Sequence, residues 1–122
     1  MEMKVVVVAG DGIGPEVTRE AMQILDTIGQ LNGHKFRFVE MSIGGVAIKQ
    51  HGSPLPTATL DAALDSDAVF LGAVGGNEFN ALPPSKRPEA GLLQLRQALG
   101  GFAKLRPSVA YAALNHNSPL RP

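Results

Sequence analysis

From Met3 to Ala9 the chain is apolar at every position but Lys4, and four consecutive valines, Val5 to Val8, dominate it. A run this uniform predicts a strand covered on both faces, not one with a wet side. It enters the turn "GDGIGPEV", where Pro15 suits the first turn of a helix because its missing N–H has no partner to lose there. Val17, Ala21, Ile24, Leu25 and Ile28 then recur at helical spacing, and Gly29 is placed to end that helix. Lys35 to Met41 alternates polar and apolar side chains, as a half-buried strand does. The next stretch reads as loop with a helical turn near Val46 to Lys49, and Thr57 or Thr59 is the expected cap of a short helix reaching Leu64. Asp67 to Leu71 predicts a further buried strand, running into "GAVGG". Three prolines and little periodicity make Asn77 to Pro88 a surface loop. Glu89 to Leu99 is the next helix, closed by Gly100 and Gly101, and Phe102 to Leu114 reads as extended with a break at Pro107.

Strand, helix, strand, helix, strand is the rhythm of an α/β fold, an open and largely parallel sheet with flanking helices. The closing "NHNSPLRP" brings neither a cap nor a finishing element. The sheet is therefore expected to be incomplete in this chain, with residues 1–122 forming the single N-terminal portion of a longer protein.

Composition changes the picture mainly by exclusion. Hydrophobic residues at 44% and charged residues at 18% of 122 positions describe a folding chain, not a disordered one. Eleven basic and eleven acidic residues cancel, which offers no support for general binding to nucleic acid or to a membrane surface. The absence of cysteine removes disulfides and thiolate metal sites. The first apolar run is short and ends in a glycine turn, unlike a secretory leader, and no segment nears the ~20 apolar residues of a membrane span. The cytoplasm is the expected location. His34, His51 and His116 are scattered without metal-ligand spacing and read as surface or loop positions.

The glycine turn is the first candidate for chemistry. Gly10 and Gly12 fit the dinucleotide fingerprint, but Pro15 stands where the third glycine belongs and Gly14 comes one residue early. No acid lies at the spacing expected for a ribose contact, and no Gly-Lys-Ser/Thr follows as in a P-loop. Two readings stay open: a tight strand-to-helix connection in which Asp11 braces the turn, or a turn that serves a ligand. A second glycine turn, Leu71 to Gly76, also follows a strand, and in an open parallel sheet both would share the carboxyl edge where ligands bind.

The helix after Arg87 is the second candidate. Glu89, Leu92, Leu93 and Arg96 share one face, while Leu95 and Leu99 turn toward an adjoining face and should pack on the sheet. Arg106 follows just before Pro107. A guanidinium grips a carboxylate through two parallel hydrogen bonds, so two arginines beside two leucines would suit a dicarboxylate carrying an apolar branch. The ordinary alternative makes the leucines core and both arginines solvated surface charges.

Taken in order and spacing, "GDGIGPEV", "GAVGG", "RPEAGLLQLR" and "FAKLRP" resemble the β-decarboxylating dehydrogenases, a family that includes isocitrate, isopropylmalate and tartrate dehydrogenases. The Gly-Leu-Leu run ahead of Arg96 is most similar to the isopropylmalate branch. The resemblance implies an isopropylmalate dehydrogenase-like fold, NAD-dependent oxidation of (2R,3S)-3-isopropylmalate and loss of CO2, in leucine biosynthesis. It implies Mg²⁺ or Mn²⁺ as Lewis acid and a homodimer for the full-length enzyme. By motif position, Arg96 and Arg106 would hold the substrate carboxylates, and Leu92 and Leu93 would line the apolar pocket. Glu89 would sit beside the nicotinamide ribose, Gly75 and Gly76 along the cofactor, and Ile13 near its adenosine. Two departures stand out: Lys104 replaces the usual asparagine, and "GGNEFN" replaces the usual "GGPKWD".

The family's third substrate arginine, catalytic tyrosine and lysine, and metal-binding aspartates all fall past Pro122. No catalytic or metal-binding residue is thus assigned within the chain, Asp11 and Glu16 included, and the 122 residues alone are expected to be inactive. Rival readings are an isocitrate, homoisocitrate or tartrate dehydrogenase, or a non-catalytic domain that kept the fold. The leucine pair argues against a charged substituent in the pocket, since burying one against leucines is costly.

Overall fold

The computed structural model describes residues 1–101, 103, 105–107, 109 and 111–117. Its centre is β1 (Glu2–Gly10), flanked by β2 (Lys35–Glu40) and β3 (Ala68–Ala73) in the order β2-β1-β3, all parallel. The register pairs Val5 with Phe38 and Ala68, and Val7 with Glu40 and Phe70. Val5 to Val8 are all buried, which is why the run carries no polar alternation.

Helices cover both faces. Val6 and Val8 join Ile43, Leu55, Ala63 and Leu95 in the main core, reached from α2 (Gly44–His51), α3 (Thr57–Leu64), α4 (Pro88–Ala98) and their connections. The other face carries α1 (Gly14–Asn32), which approaches through small residues: Thr18 lies on Gly72 and Gly29 on the Phe36 ring. Gly29 therefore does not end the helix. A Cβ there would come within 2.8 Å of the His34 carbonyl oxygen, so glycine is a packing requirement. The stop comes four residues later at Gly33, in the left-handed region at φ 68°. Away from the sheet, α1 leaves Val17, Ile24, Ile28 and Leu31 exposed along one seam.

Other differences from the sequence-based expectations have local causes. The expected turn near Val46 is a two-turn helix, α2. Neither Thr57 nor Thr59 caps α3: Pro56 holds the cap position, and the buried Thr59 hydroxyl donates to the Ser42 carbonyl at 2.8 Å, tying α3 to the end of β2. The Asn77–Pro88 loop contains two short 3₁₀ turns, Asn77–Phe79 and Pro84–Lys86, and buries Phe79. Leu95 packs in the core as expected, but Leu99, at the C-cap of α4, is exposed. The extended reading from Phe102 to Leu114 gives way at Ala112, where a 3₁₀ helix runs to Asn117; alanine has no β-branched preference for extended backbone. Lys104 lies outside the described residues.

Candidate functional site

Both glycine turns sit at the carboxyl edge of the sheet and are laced together there. Gly10, at φ 77°, pairs in register with Ala73, and the Asp11 N–H donates to the Ala73 carbonyl at 2.7 Å. A Cβ on Gly10 would stand 2.0 Å from that oxygen, and one on Gly14 1.9 Å from the Ala9 carbonyl. Gly14 thus does what the third glycine of a dinucleotide fingerprint does, letting a helix start hard against its strand, one residue earlier in the chain. The two readings of this turn are not exclusive, since a tight connection is what brings its backbone to the edge.

Asp11 braces more than its own turn. Its carboxylate accepts the N–H groups of Gly45 at 2.8 Å, Val46 at 2.8 Å and Gly75 at 2.9 Å. The first two are orphan donors at the start of α2, whose own N-cap residue, Ile43, has no side-chain acceptor. Gly44 and Gly45 leave the room: a Cβ on Gly44 would meet Asp11 at 2.6 Å. With both oxygens committed to backbone donors, Asp11 is a structural brace, as its place in the turn suggested.

The second turn is held from below and above. Gly75, at φ 115°, takes Asp11 through its N–H, while a Cβ on it would come 2.7 Å from Glu89 Oε1. Next to it Phe79 packs its ring over Gly45, where a Cβ would overlap it. Lys49 Nζ lies 5.4 Å from the Phe79 ring centre and 2.7 Å from Glu78 Oε1, so the departure at "NEFN" adds a tie between this loop and α2. Sequence reasoning passed over Phe79 and Gly45; the paired glycines at 44 and 45 were the available signal.

The structure brings Gly75 and Glu89 together at the edge, with Gly76 next in the turn and Leu92 and Arg96 on succeeding turns of the same helix. Glu89 is exposed, Leu92 and Arg96 half-buried, and Leu93 63% exposed. Ile13, at the N-cap of α1, is 60% exposed. Arg106 is exposed past α4, and among the described residues neither it nor Arg96 enters an ion pair. Among the described residues no three His, Asp or Glu side chains gather as a metal site. A crevice of about 470 Å³ opens on the β2 side, walled by Ala9, Pro15 and Met41 and edged by Glu40 and His51; it contains none of these positions. The clearest electrostatic perturbation lies at the other end of the sheet, where the Lys4 ammonium, 2.6 Å from Asp65, holds that carboxyl below its ordinary range.

Comparison with known proteins agrees with this architecture. Residues 4–122 match the family model described as isocitrate/isopropylmalate dehydrogenase. The chain is 54% identical over 113 residues to 3-isopropylmalate dehydrogenase of Salinibacter ruber, covering 93% of this chain and 31% of that protein. It is 50% identical over 120 residues to that of Clostridium pasteurianum, covering 98% and 34%. The chain thus spans about a third of the length of these curated relatives. Among solved structures, a β-decarboxylating dehydrogenase from Thermococcus kodakarensis superposes with TM-score 0.64 at 34% identity, over 80% of this chain and 27% of that one. Isocitrate dehydrogenase from Methylococcus capsulatus gives 0.64 at 28% identity, over 80% and 26%. A parallel sheet with glycine turns laced at its carboxyl edge, matched along nearly its whole length by one family model, places the chain in the isocitrate/isopropylmalate dehydrogenase family.

Proposed function

We propose that these residues are the N-terminal part of an NAD-dependent 3-isopropylmalate dehydrogenase. The longer enzyme would oxidise (2R,3S)-3-isopropylmalate and release CO2, leaving 4-methyl-2-oxopentanoate for leucine biosynthesis. The observation that carries this reading is the meeting of Glu89 with Gly75, followed on the same helix by Leu92 and Arg96. It sets a carboxylate at the glycine-lined edge, one helical turn from an apolar side chain and two from a guanidinium. The names of the relatives at about half identity support the same substrate.

The edge suits a dinucleotide. Gly76 is exposed and bare of a side chain, so a ligand can approach its backbone, and the Glu89 carboxylate is open to accept hydrogen bonds from ribose hydroxyls. Bound there, NAD supplies the hydride acceptor. Gly75 and Gly76 would flank it, with Ile13 toward the adenosine side. Arg96 and Arg106 would each grip a substrate carboxylate, holding the carbon that loses hydride at a fixed distance. Leu92 and Leu93 would cover the isopropyl branch, which favours this substrate over one with a third carboxylate.

The described residues do not form a ligand set for Mg²⁺ or Mn²⁺; in this reading its carboxylates, the proton-handling groups and the dimer contacts belong to the rest of a cytoplasmic enzyme. These 122 residues alone would then bind and orient without turning over, and neither nucleic acid nor membrane would be a partner. The test is isopropylmalate-dependent NADH formation. The full-length protein should show it and the pure 122-residue chain should not; activity of the short chain, or preference of the long one for isocitrate or tartrate, would overturn the assignment.

A further inference from the structure

We infer that Asp11 is a positioning residue for the cofactor side of the site, fixing the second glycine turn and, through it, the place of Glu89. The inference rests on the proposed function for the identity of the ligand, but not for the mechanical link. Three segments far apart in sequence end on one carboxylate: the turn after β1, the start of α2 at Gly45 and Val46, and the turn after β3 at Gly75. All three partners are N–H donors, so an acceptor-only group is needed. An asparagine would turn an NH₂ toward at least one of them and leave that N–H without a partner. Carboxylate oxygens accept such bonds about twice as strongly as a neutral group would.

Geometry carries the effect onward. Gly75 holds a left-handed conformation that a free loop would leave readily, and a Cβ on it would fall 2.7 Å from Glu89 Oε1. Glu89 is exposed and has no ion-pair partner among the described residues, so the Gly75 turn bounds its carboxylate on that side. Freed from Asp11, the Gly75 turn would rise or fall, and the ribose contact would move with it. Phe79 over Gly45 and the Lys49–Glu78 pair hold the far end of the same loop, but neither touches Gly75. Glu89 would touch the cofactor; Asp11 acts only through the turn.

Amide hydrogen exchange on the chain, read residue by residue, tests this. In the unaltered protein, Gly45, Val46 and Gly75 should exchange through one shared opening, with similar protection. Asp11→Asn should raise exchange at all three together by roughly tenfold or more, as loss of a charge-assisted hydrogen bond would. Ala63→Gly, which weakens the distant core, should raise exchange across the sheet without singling out Gly75. Unchanged protection at Gly75 in Asp11→Asn would overturn the inference. So would Gly75 exchanging orders of magnitude faster than Gly45 in the unaltered chain, a result available even if the variant fails to fold. A parallel NAD titration separates the two readings. Weaker NAD binding by Asp11→Asn but not by Ala63→Gly supports the positioning role, and equal binding with Gly75 released overturns it. No NAD binding by the full-length protein, with the exchange pattern as expected, would instead sink the proposed function.

Discussion

The two sides of the candidate site are built differently. The glycine turns are fixed from within the chain: backbone carbonyls, N–H groups and the Asp11 carboxylate meet at hydrogen-bond distance, with no room for a Cβ at Gly10 or Gly14. The α4 stripe is fixed only at its root, where Leu95 is buried and Gly91 lies on the Pro54 carbonyl, while Leu93 and Arg96 project from that footing. The turns are finished by contacts within the chain. The stripe presents side chains whose partners would be a substrate, so its worth should show in binding and not in stability.

The sharpest way to break this contrast is at Gly14. Gly14→Ala pushes a Cβ to 1.9 Å from the Ala9 carbonyl and should cost on the order of 3–5 kcal/mol, enough to prevent folding by urea titration. Gly12→Ala meets nothing within 4 Å and pays only for its positive φ, about 1 kcal/mol. Similar losses at both positions would mean that the turn is not packed as described. On α4 the corresponding pair is Leu95→Ala, expected to cost about 2–5 kcal/mol, against Leu93→Ala, expected to change stability by no more than about 0.5 kcal/mol.

Much of this was legible because it is local. Four valines in a row gave β1, and Pro15 gave the start of α1. Gly29 misled because its reason is a ring on β2, and the cap of α2 was unreadable because its acceptor sits 34 residues before Gly45. Thr59 looked like a cap until its hydroxyl reached Ser42. At the site, helical spacing placed Glu89, Leu92 and Arg96 on one stripe, but nothing local announced that Glu89 would meet Gly75. That contact depends on β3 and α4 packing on the same core, and only the family resemblance hinted at it.

Two smaller effects sharpen the comparison. On the proposed function, Arg96→Ala in the full-length protein should lower kcat/KM by about a hundredfold, the loss of a paired charge-assisted contact, while leaving the melting temperature nearly unchanged. A matching loss of stability would make Arg96 structural instead. The Lys4–Asp65 pair should act in the opposite sense, on stability alone. Because Lys4 lowers the Asp65 pKa in the folded chain, its contribution is present above pH about 4 and fades as pH falls through the lowered value. Lys4→Gln should lower stability slightly at neutral pH and flatten that acid limb, and only slightly because Asp65 is solvent-exposed; a stability difference that appeared only below pH about 4 would contradict the sign.

The exposed seam on α1 has a practical side. Val17, Ile24, Ile28 and Leu31 form a greasy ridge on a molecule whose formal net charge at pH 7 is zero, so colliding copies feel stickiness with little repulsion to oppose it. Handled alone in neutral buffer, the chain should turn cloudy with rising concentration and clear again several pH units away, a colloidal behaviour set by one ridge of four side chains.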